Sequence, residues 1–148
     1  MKRVFTVLAL LIVVLLAGVG GYVYSKQPTR QGQVELRNLQ GSVTVRYDER
    51  GVPHIRAENE SDLYRALGYV HAQDRLFQME AMRRLARGEL AEVLGPKLLD
   101  TDKLFRSLRI RERAVRYVAS LDKQSPAWKA LQAYLDGINQ YQDSHVAP

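Results

Sequence analysis

The chain has 148 residues, no cysteine, and 22 basic against 16 acidic side chains, which gives a formal net charge of +6. This length fits one domain of ordinary size. The missing thiol excludes disulfides, thiolate catalysis and cysteine-ligated zinc. Because the positive charge is spread among acidic residues and forms no basic stripe with aromatic platforms, the composition predicts no nucleic-acid partner.

The first segment is apolar. No charged residue occurs from Val4 to Tyr24, and Lys2 and Arg3 precede it. These 21 residues would span about 31 Å as a helix, close to the roughly 30 Å hydrocarbon core of a bilayer. A signal peptide has the same basic start and apolar core, but this core is longer than usual and no A-x-A cleavage site follows it. We therefore predict that residues 1–24 are a transmembrane anchor or signal segment, with 4–24 in the membrane and the rest on the periplasmic or extracytoplasmic side.

A polar segment with Pro28 and Gly32 follows, which predicts a linker over residues 25–33. The folded region then covers 34–148. Apolar and polar residues alternate from Val34 to Arg37 and again from Val43 to Tyr47, which predicts two half-buried strands.

A turn and a returning strand come next. Asp48-Glu49-Arg50-Gly51 has turn chemistry, since glycine accepts a positive φ. We predict that residues 52–57 return as the second strand of a hairpin, with Pro53 at an edge or at the strand start because it has no N–H to donate.

In the remaining sequence, apolar residues recur at the spacing of a helix. Asn59 or Ser61 can cap the first helix, and Asp74 either continues this helix or caps a second one. Further helices are predicted from 89 to 94, ending at Gly95-Pro96; from Thr101 or Asp102 through Val118; and from Ser125-Pro126 to Tyr141. The predicted fold class is α+β.

The sequence contains few motifs that indicate catalysis or metal binding. The sequence has no G-x-S-x-G elbow, phosphate-binding glycine loop or H-E-x-x-H motif. His71 and Asp74 have the spacing of a metal-ligand pair, but two ligands do not make a site, and we expect local hydrogen bonds instead. Glu80, Glu89 and Glu92 are acid/base candidates in principle, but they lie among arginines and are expected to be paired or solvated. The residues alone predict neither a catalytic nor a metal site.

Several spaced motifs resemble a known family. They are D-E-R-G-V-P-H-I at 48–55, G-Y-V-H-A-Q-D-R-L-F-Q-M-E at 68–80, G-E-L-A-E-V-L-G at 88–95 and A-Y-L-D-G-I-N at 133–139. Together they are similar to the N-terminal part of penicillin acylase family proteins, which are N-terminal nucleophile amidohydrolases. The resemblance covers residues 34–141 in the order expected for the family.

The resemblance implies a precursor that cuts itself into an α chain and a β chain. The β chain would begin with a serine that attacks amide carbonyls of N-acyl compounds such as penicillins or acyl-homoserine lactones, its own α-amino group acting as the base. No serine here is followed by asparagine, as is common at that junction. We therefore interpret the chain as an incomplete α-chain region, inactive without its β chain, and assign no catalytic, substrate-binding or metal residue within it.

The resemblance also implies that these elements form part of a four-layer αββα fold that the β chain completes. It implies no cofactor in this chain and a structural calcium in the complete enzyme. The motif residues to which we assign structural roles are Asp48, Gly51, Pro53, His54, Gln73, Asp74, Arg75 and Glu80.

For some of these residues a second interpretation stays open. His54 either bonds to nearby backbone or lies at a substrate site, and we favour the first because the implied mechanism supplies its own base. We expect caps and buried polar pairs from the segment 73–75. Phe77, Met79 and Met82 are expected in a helix core, although they could line an acyl pocket.

Two hypotheses of other classes compete with the hydrolase. One is a non-enzymatic, membrane-anchored helical adaptor, and the other is a basic binder of membrane surfaces or nucleic acid, supported by charge alone. If the hydrolase hypothesis holds, short strands and amphipathic helices without the rest of the enzyme should leave a sizeable apolar surface exposed.

Overall fold

The computed structural model describes residues 2–25 and 30–145, with side chains left out at 2–5, 8 and 9. The chain forms two compact units, Met1–Gly32 and Gln33–Pro148. Pro28 of the predicted linker lies outside the described residues.

The first unit contains helix α1, Lys2–Ser25. The helix coincides with the apolar segment of the sequence. No helix in the described part of the chain has both the length and the apolarity that crossing a bilayer requires. The transmembrane anchor predicted over residues 4–24 is therefore not confirmed.

The second unit begins with a hairpin. Strands β1, Thr44–Tyr47, and β2, Pro53–Arg56, run antiparallel, with Val45 opposite Ile55 and Tyr47 opposite Pro53. The predicted hairpin is confirmed, and Pro53 begins its strand, where no ladder donor is needed.

The strand predicted from Val34 to Arg37 is wrong. This segment is non-strand, and the backbone of Arg37 pairs with a side chain instead of a neighbouring strand. The Arg37 N–H donates to Gln140 Oε1 at 2.7 Å, and Gln140 Nε2 donates to the Arg37 carbonyl at 3.1 Å. A buried amide on a distant helix therefore satisfies the backbone groups that a strand would have used.

Helix α2, Glu60–Arg87, is the longest element of this unit. Asn59 caps it, its Oδ1 accepting the Asp62 N–H at 2.9 Å. The helix runs past Asp74 and kinks at Arg75, where φ is −139° and ψ is 20°. It ends at Gly88, whose φ of 67° lets its N–H reach the Leu85 carbonyl.

Shorter helices follow. They are α3, Ala91–Leu94; a 3₁₀ turn, Pro96–Leu98; α4, Leu99–Ser107; α5, Ile110–Ser120; and α6, Pro126–His145. The cap predicted for the last helix is confirmed, since Ser125 Oγ accepts the Trp128 N–H at 3.2 Å.

The single helix predicted through Val118 is wrong in two respects. Arg109 adopts a left-handed φ of 53° and divides it into α4 and α5. Asp102 is not its cap but lies buried within α4, where its carboxylate accepts the N–H groups of Leu90 and Ala91, both at 2.9 Å. Asp102 therefore caps the start of α3 from a neighbouring helix.

The core of this unit lies where α2 packs against α6. Its buried apolar residues are Ala66, Tyr69, Val70, Ala72 and Ala133. Most are small, so the two backbones approach closely. Large apolar side chains on α2, α4 and α5 remain exposed, which confirms the predicted apolar surface.

Candidate functional site

The hairpin turn is organised by Asp48. Its Oδ1 accepts the N–H groups of Arg50 at 2.9 Å and Val52 at 2.8 Å, and its carbonyl accepts the Gly51 N–H at 2.9 Å. Gly51 has a φ of 76°, which a residue with a Cβ rarely adopts. These bonds, led by the one from Val52, hold the pKa of Asp48 below its ordinary value. Asp48 and Gly51 thus have the structural role predicted for them.

His54 contacts this turn through its side chain. Its Nε2 lies 3.6 Å from Asp48 Oδ2, and 68% of its side chain is exposed. The partner is therefore a carboxylate and not the backbone that the sequence predicted. Among the described residues, Asp48 provides the one polar contact of the His54 ring, so the geometry gives His54 no substrate site.

A buried carboxylate, Asp62, joins the segment before the hairpin to α2. The residue is 1% exposed. Its oxygens accept the N–H groups of Gln40 and Gly41 at 3.0 and 2.9 Å and the Asn59 side-chain amide at 2.7 Å. Burial raises the pKa of Asp62, but these hydrogen bonds and the charge of Arg65 outweigh it and hold the pKa below its ordinary value. The carboxylate is therefore a structural anchor that remains ionised.

Arg65 extends this anchor across the core. Its NH1 lies 3.3 Å from Asp62 Oδ1, and its Nε donates to Asp136 Oδ2 on α6 at 2.7 Å. Asn38 also donates to Asp136, at 3.4 Å. Burial raises the pKa of Asp136, but side-chain hydrogen bonds, first among them the one from Arg65, together with the charge of Arg65 hold it below its ordinary value. The buried guanidinium thus bridges one carboxylate on its own helix and one on α6. We name Asp62, Arg65 and Asp136 the buried ion network.

The motif segment around the kink of α2 differs from its prediction. Asp74 and Arg75 are exposed, and Arg75 NH1 donates to Gln78 Oε1 at 3.1 Å. Gln73 is half-buried and has a polar partner. The charge of Asp74 adds to burial in raising the pKa of Tyr141, which places the carboxylate near α6. The expected buried polar pairing is wrong for Asp74 and Arg75, since both residues are exposed.

Glu80 and two arginines form a second network near the end of α2. Its Oε2 lies 2.6 Å from Arg83 Nε and its Oε1 lies 2.7 Å from Arg84 Nε. Arg84 also reaches Glu92 on α3 at 3.0 Å. The bond from Arg83 is the main cause that lowers the pKa of Glu80 to about 2. Glu80 and Glu92 are thus paired with arginines, as the sequence predicted. A carboxylate held this strongly in its charged form is also a poor proton donor.

The remaining candidate acid/base and metal-binding residues also interact with other side chains of the protein. Arg87 Nε lies 2.8 Å from Glu89 Oε2. His71 Nδ1 lies 3.1 Å from the Tyr134 hydroxyl, and the two rings meet edge to face at 5.8 Å. Over the described residues, no group of three or more His, Cys, Asp or Glu side chains could hold a metal ion. His71 and Asp74 therefore form no metal site with a third ligand there.

A cleft of about 280 Å³ lies between the end of α2, α4 and the first turns of α5. Phe105 and Ile110 give it apolar walls, and Arg106 at its edge donates to the Gly88 carbonyl at 2.8 Å. No histidine, serine or tyrosine lines it. Its side chains therefore form no nucleophile with an adjacent base.

Several apolar side chains of α2 and the helices that follow it are exposed. Phe77 is 70% exposed and Met82 is 64% exposed, so the helix-core prediction is wrong for these two residues within this chain. Met79 is half-buried. Exposed apolar residues on the helices that follow include Val93, Leu94, Leu104, Leu108, Val115 and Val118.

The sequence alone missed the buried ion network and the close approach of α2 to α6. An acid three residues before an arginine in the first turns of a helix is a local signal for the pair Asp62 and Arg65. No local signal links Arg65 to Asp136, which lies 71 positions later. The same applies to Gly68 and Gly137, whose facing positions depend on how two helices cross.

The sequence model of the penicillin amidase family matches residues 42–148. A penicillin acylase 2 proenzyme of Pseudomonas sp. (strain SE83) is 43% identical over 114 residues, which cover 77% of this chain and 14% of that protein. An acyl-homoserine lactone acylase of Pseudomonas putida is 40% identical over 142 residues, which cover 94% of this chain and 17% of that protein.

A solved structure shows the same likeness. The thermostable penicillin G acylase from Alcaligenes faecalis superimposes with a TM-score of 0.59 at 38% sequence identity, over 69% of this chain and 53% of that one. The chain spans less than a fifth of the length of the two curated relatives.

Proposed function

This chain belongs to the penicillin amidase family, and we propose that it forms the N-terminal α-chain region of an amidohydrolase that cleaves N-acyl compounds. The match over residues 42–148 carries the proposal. The names of the relatives, a penicillin acylase and an acyl-homoserine lactone acylase, support a linear amide bond as the target.

In this proposal the chain supplies framework and not the nucleophile. Asp62, Glu80, Asp102 and Asp136 are engaged in caps and ion pairs, so none is free to act as a base. No serine in the sequence has the Ser-Asn context of the family's nucleophile. Activity would therefore need a β chain of the same precursor, and the proenzyme name of one relative supports that arrangement.

The chemistry would take place on that β chain. Its terminal serine Oγ would add to the amide carbonyl while the α-amino group takes the hydroxyl proton. The C–N bond would then break, the proton would pass to the departing amine, and water would release the acid from the ester. The present chain would contribute by holding its part of a four-layer αββα core in place through the α2–α6 pair.

A structural calcium was implied for the complete enzyme. The described residues offer no cluster of three acidic or histidine side chains, so they do not fit such an ion. We assign no step and no residue of this chain to it.

A chimaera tests the function. Residues 33–145 would replace the matching stretch of the Pseudomonas sp. penicillin acylase 2 proenzyme, and two-chain maturation and release of amine from penicillin would be measured. We expect maturation and hydrolysis. A matched chimaera with Asp62→Ala should lose both, whereas one with Asp143→Ala should keep both, because Asp143 lies in an exposed pair with Arg37.

A chimaera that matures into two chains but hydrolyses no amide would contradict the proposal and favour the adaptor hypothesis.

We also propose an extracytoplasmic location. Two basic residues followed by an uncharged segment to Tyr24 support export of the chain. Fractionation of cells that produce the full chain, with a periplasmic and a cytoplasmic marker enzyme as controls, tests this. Recovery with the cytoplasmic marker would contradict it.

A further inference from the structure

Helix α5 begins after a residue in an unfavourable backbone conformation. It is separated from α4 by Arg109 in the left-handed region, which a residue with a Cβ disfavours. No glycine or proline occurs between Lys97 and Gln124, so local preference favours one continuous helix. Yet every residue from Arg111 to Ser120 is exposed.

The exposed residues of α5 are arranged as an amphipathic face. Val115 is 63% exposed, Tyr117 66% and Val118 40%. With Ala114 they fall on one side of the helix, since neighbours three and four apart share a face. We name these four residues the α5 stripe.

One arginine precedes the stripe on the same face of the helix, and a second borders it along one side. Arg111 lies three and four positions before Ala114 and Val115, and Arg113 lies four positions before Tyr117. Neither guanidinium has an ion pair anywhere in the part of the chain that the structure describes, and neither have Arg109 and Arg116. By contrast, Arg83, Arg84 and Arg87 on α2 all have acidic partners.

We propose that the α5 stripe and its flanking arginines dock an acidic, amphipathic polypeptide segment from the remainder of the precursor. This rests on the proposed function, which requires further polypeptide. Apolar side chains of the partner would cover Val115 and Val118, and its carboxylates would pair with Arg111 at the start of the stripe and with Arg113 beside it. The new contacts would offset the strain at Arg109.

Unpaired charge alone does not single out this surface. Arg46 and Arg56 on the hairpin are also exposed and have no ion pair among the described residues. They flank no comparable row of exposed apolar side chains, since β1 and β2 alternate exposed polar with half-buried apolar positions. The hairpin arginines therefore provide a matched control with the same change of charge.

The test measures binding of a fluorescent acidic helical peptide of about 18 residues, built from Leu, Ala and Glu in a heptad pattern, to the full chain. A peptide with Lys in place of Glu and vesicles of anionic phospholipid are the alternative probes. The variants are R111E/R113E and the control R46E/R56E, each checked for native helicity by circular dichroism.

We expect salt-sensitive binding of the acidic peptide that weakens about tenfold or more in R111E/R113E and less than about twofold in R46E/R56E. Val118→Gln, which keeps the charges, should weaken binding as well. Equal binding of the acidic and basic peptides, equal losses in the two charge variants, or no binding would overturn the proposal. Vesicle binding that R111E/R113E abolishes, without acidic-peptide binding, would assign the surface to membranes and overturn it too.

This assay involves no hydrolysis. Failure of the peptide to bind would leave the chimaera's activity as evidence for the function, and an inactive chimaera would not alter the peptide result. The two proposals therefore fail separately.

Discussion

Gly68 on α2 and Gly137 on α6 lie where the two helices cross, and at each glycine the backbone of the other helix occupies the space that a side chain would fill. A Cβ on Gly68 would overlap the Tyr134 carbonyl, and one on Gly137 would overlap the Arg65 carbonyl. The obstructing atoms are backbone atoms, which cannot move aside as a flexible side chain does. The two glycines thus set the distance at which the core of the second unit packs.

Gly137→Ala should therefore destabilise the second unit even though alanine favours helix. The methyl group must push α6 away from α2, and we expect a loss of about 1–3 kcal/mol in the free energy of unfolding. Urea unfolding followed by circular dichroism measures it. The control is Gly20→Ala in α1, where nothing lies within 4 Å of the added Cβ. An unfolding midpoint of Gly137→Ala equal to that of the parent would show that the helices do not pack this closely.

Asp62→Ala should be one of the most damaging substitutions of a polar residue. It would leave Arg65 without one of its two carboxylates and the N–H groups of Gln40 and Gly41 without an acceptor. Removing one partner of a buried pair costs about 3–5 kcal/mol. Asp143→Ala, which removes an exposed pair, should cost at most about 1 kcal/mol. Similar losses for the two variants in chemical denaturation would contradict the assigned burial.

The stability of the fold should fall in acid through Glu80. Its folded pKa is lowered from 4.5 to about 2, so the folded state holds the charged form better than the unfolded state does. The resulting stabilisation is fully present above pH 4.5 and is lost as the pH falls from there to about 2. Unfolding free energies of Glu80→Gln across this range should show a shallower pH dependence than the parent.

A matched background identifies the cause of that effect. In Arg83→Gln/Arg84→Gln, the bonds that lower the Glu80 pKa are absent. Adding Glu80→Gln to this background should change the acid dependence little. An equally large change in both backgrounds would mean that the arginines are not the cause.

The strain at Arg109 is open to direct measurement. Arg109→Gly should raise the free energy of unfolding by up to about 1 kcal/mol, because glycine adopts a positive φ without the Cβ clash. Arg109→Val should lower it, since a β-branched residue tolerates this conformation least. Thermal unfolding of the two variants should move in opposite directions. Stabilisation by valine would indicate that α4 and α5 form one continuous helix.

The exposed apolar residues of α2 should bind hydrophobic dyes. Phe77→Gln/Met82→Gln should reduce fluorescence of a naphthalene sulfonate dye without lowering the unfolding midpoint, since both side chains are mainly exposed. Val70→Gln, at a position only 4% exposed, should instead unfold the domain and raise dye fluorescence. Unchanged fluorescence in the double variant would mean that these residues do not form the dye-binding surface.

The sequence by itself determined the features that depend on residues within a few positions of one another. The Ser125 cap and the Asp48–Gly51 turn form through bonds spanning two to four residues, and the Asn59 cap is one of the two that the sequence offered for the first helix. The motifs in residues 48–139 likewise indicated the family before any contact was known. These features can be predicted because the two groups that interact are close together in the sequence.

Only the tertiary structure decided the rest. Residues 34–37 lack the strand that their alternation predicts because the side chain of Gln140, more than a hundred positions away, forms hydrogen bonds with the Arg37 backbone. Asp102 caps a helix other than its own, and Gly68 and Gly137 acquire their role only where α2 meets α6. Each depends on a partner that folding brings close and that no local pattern specifies.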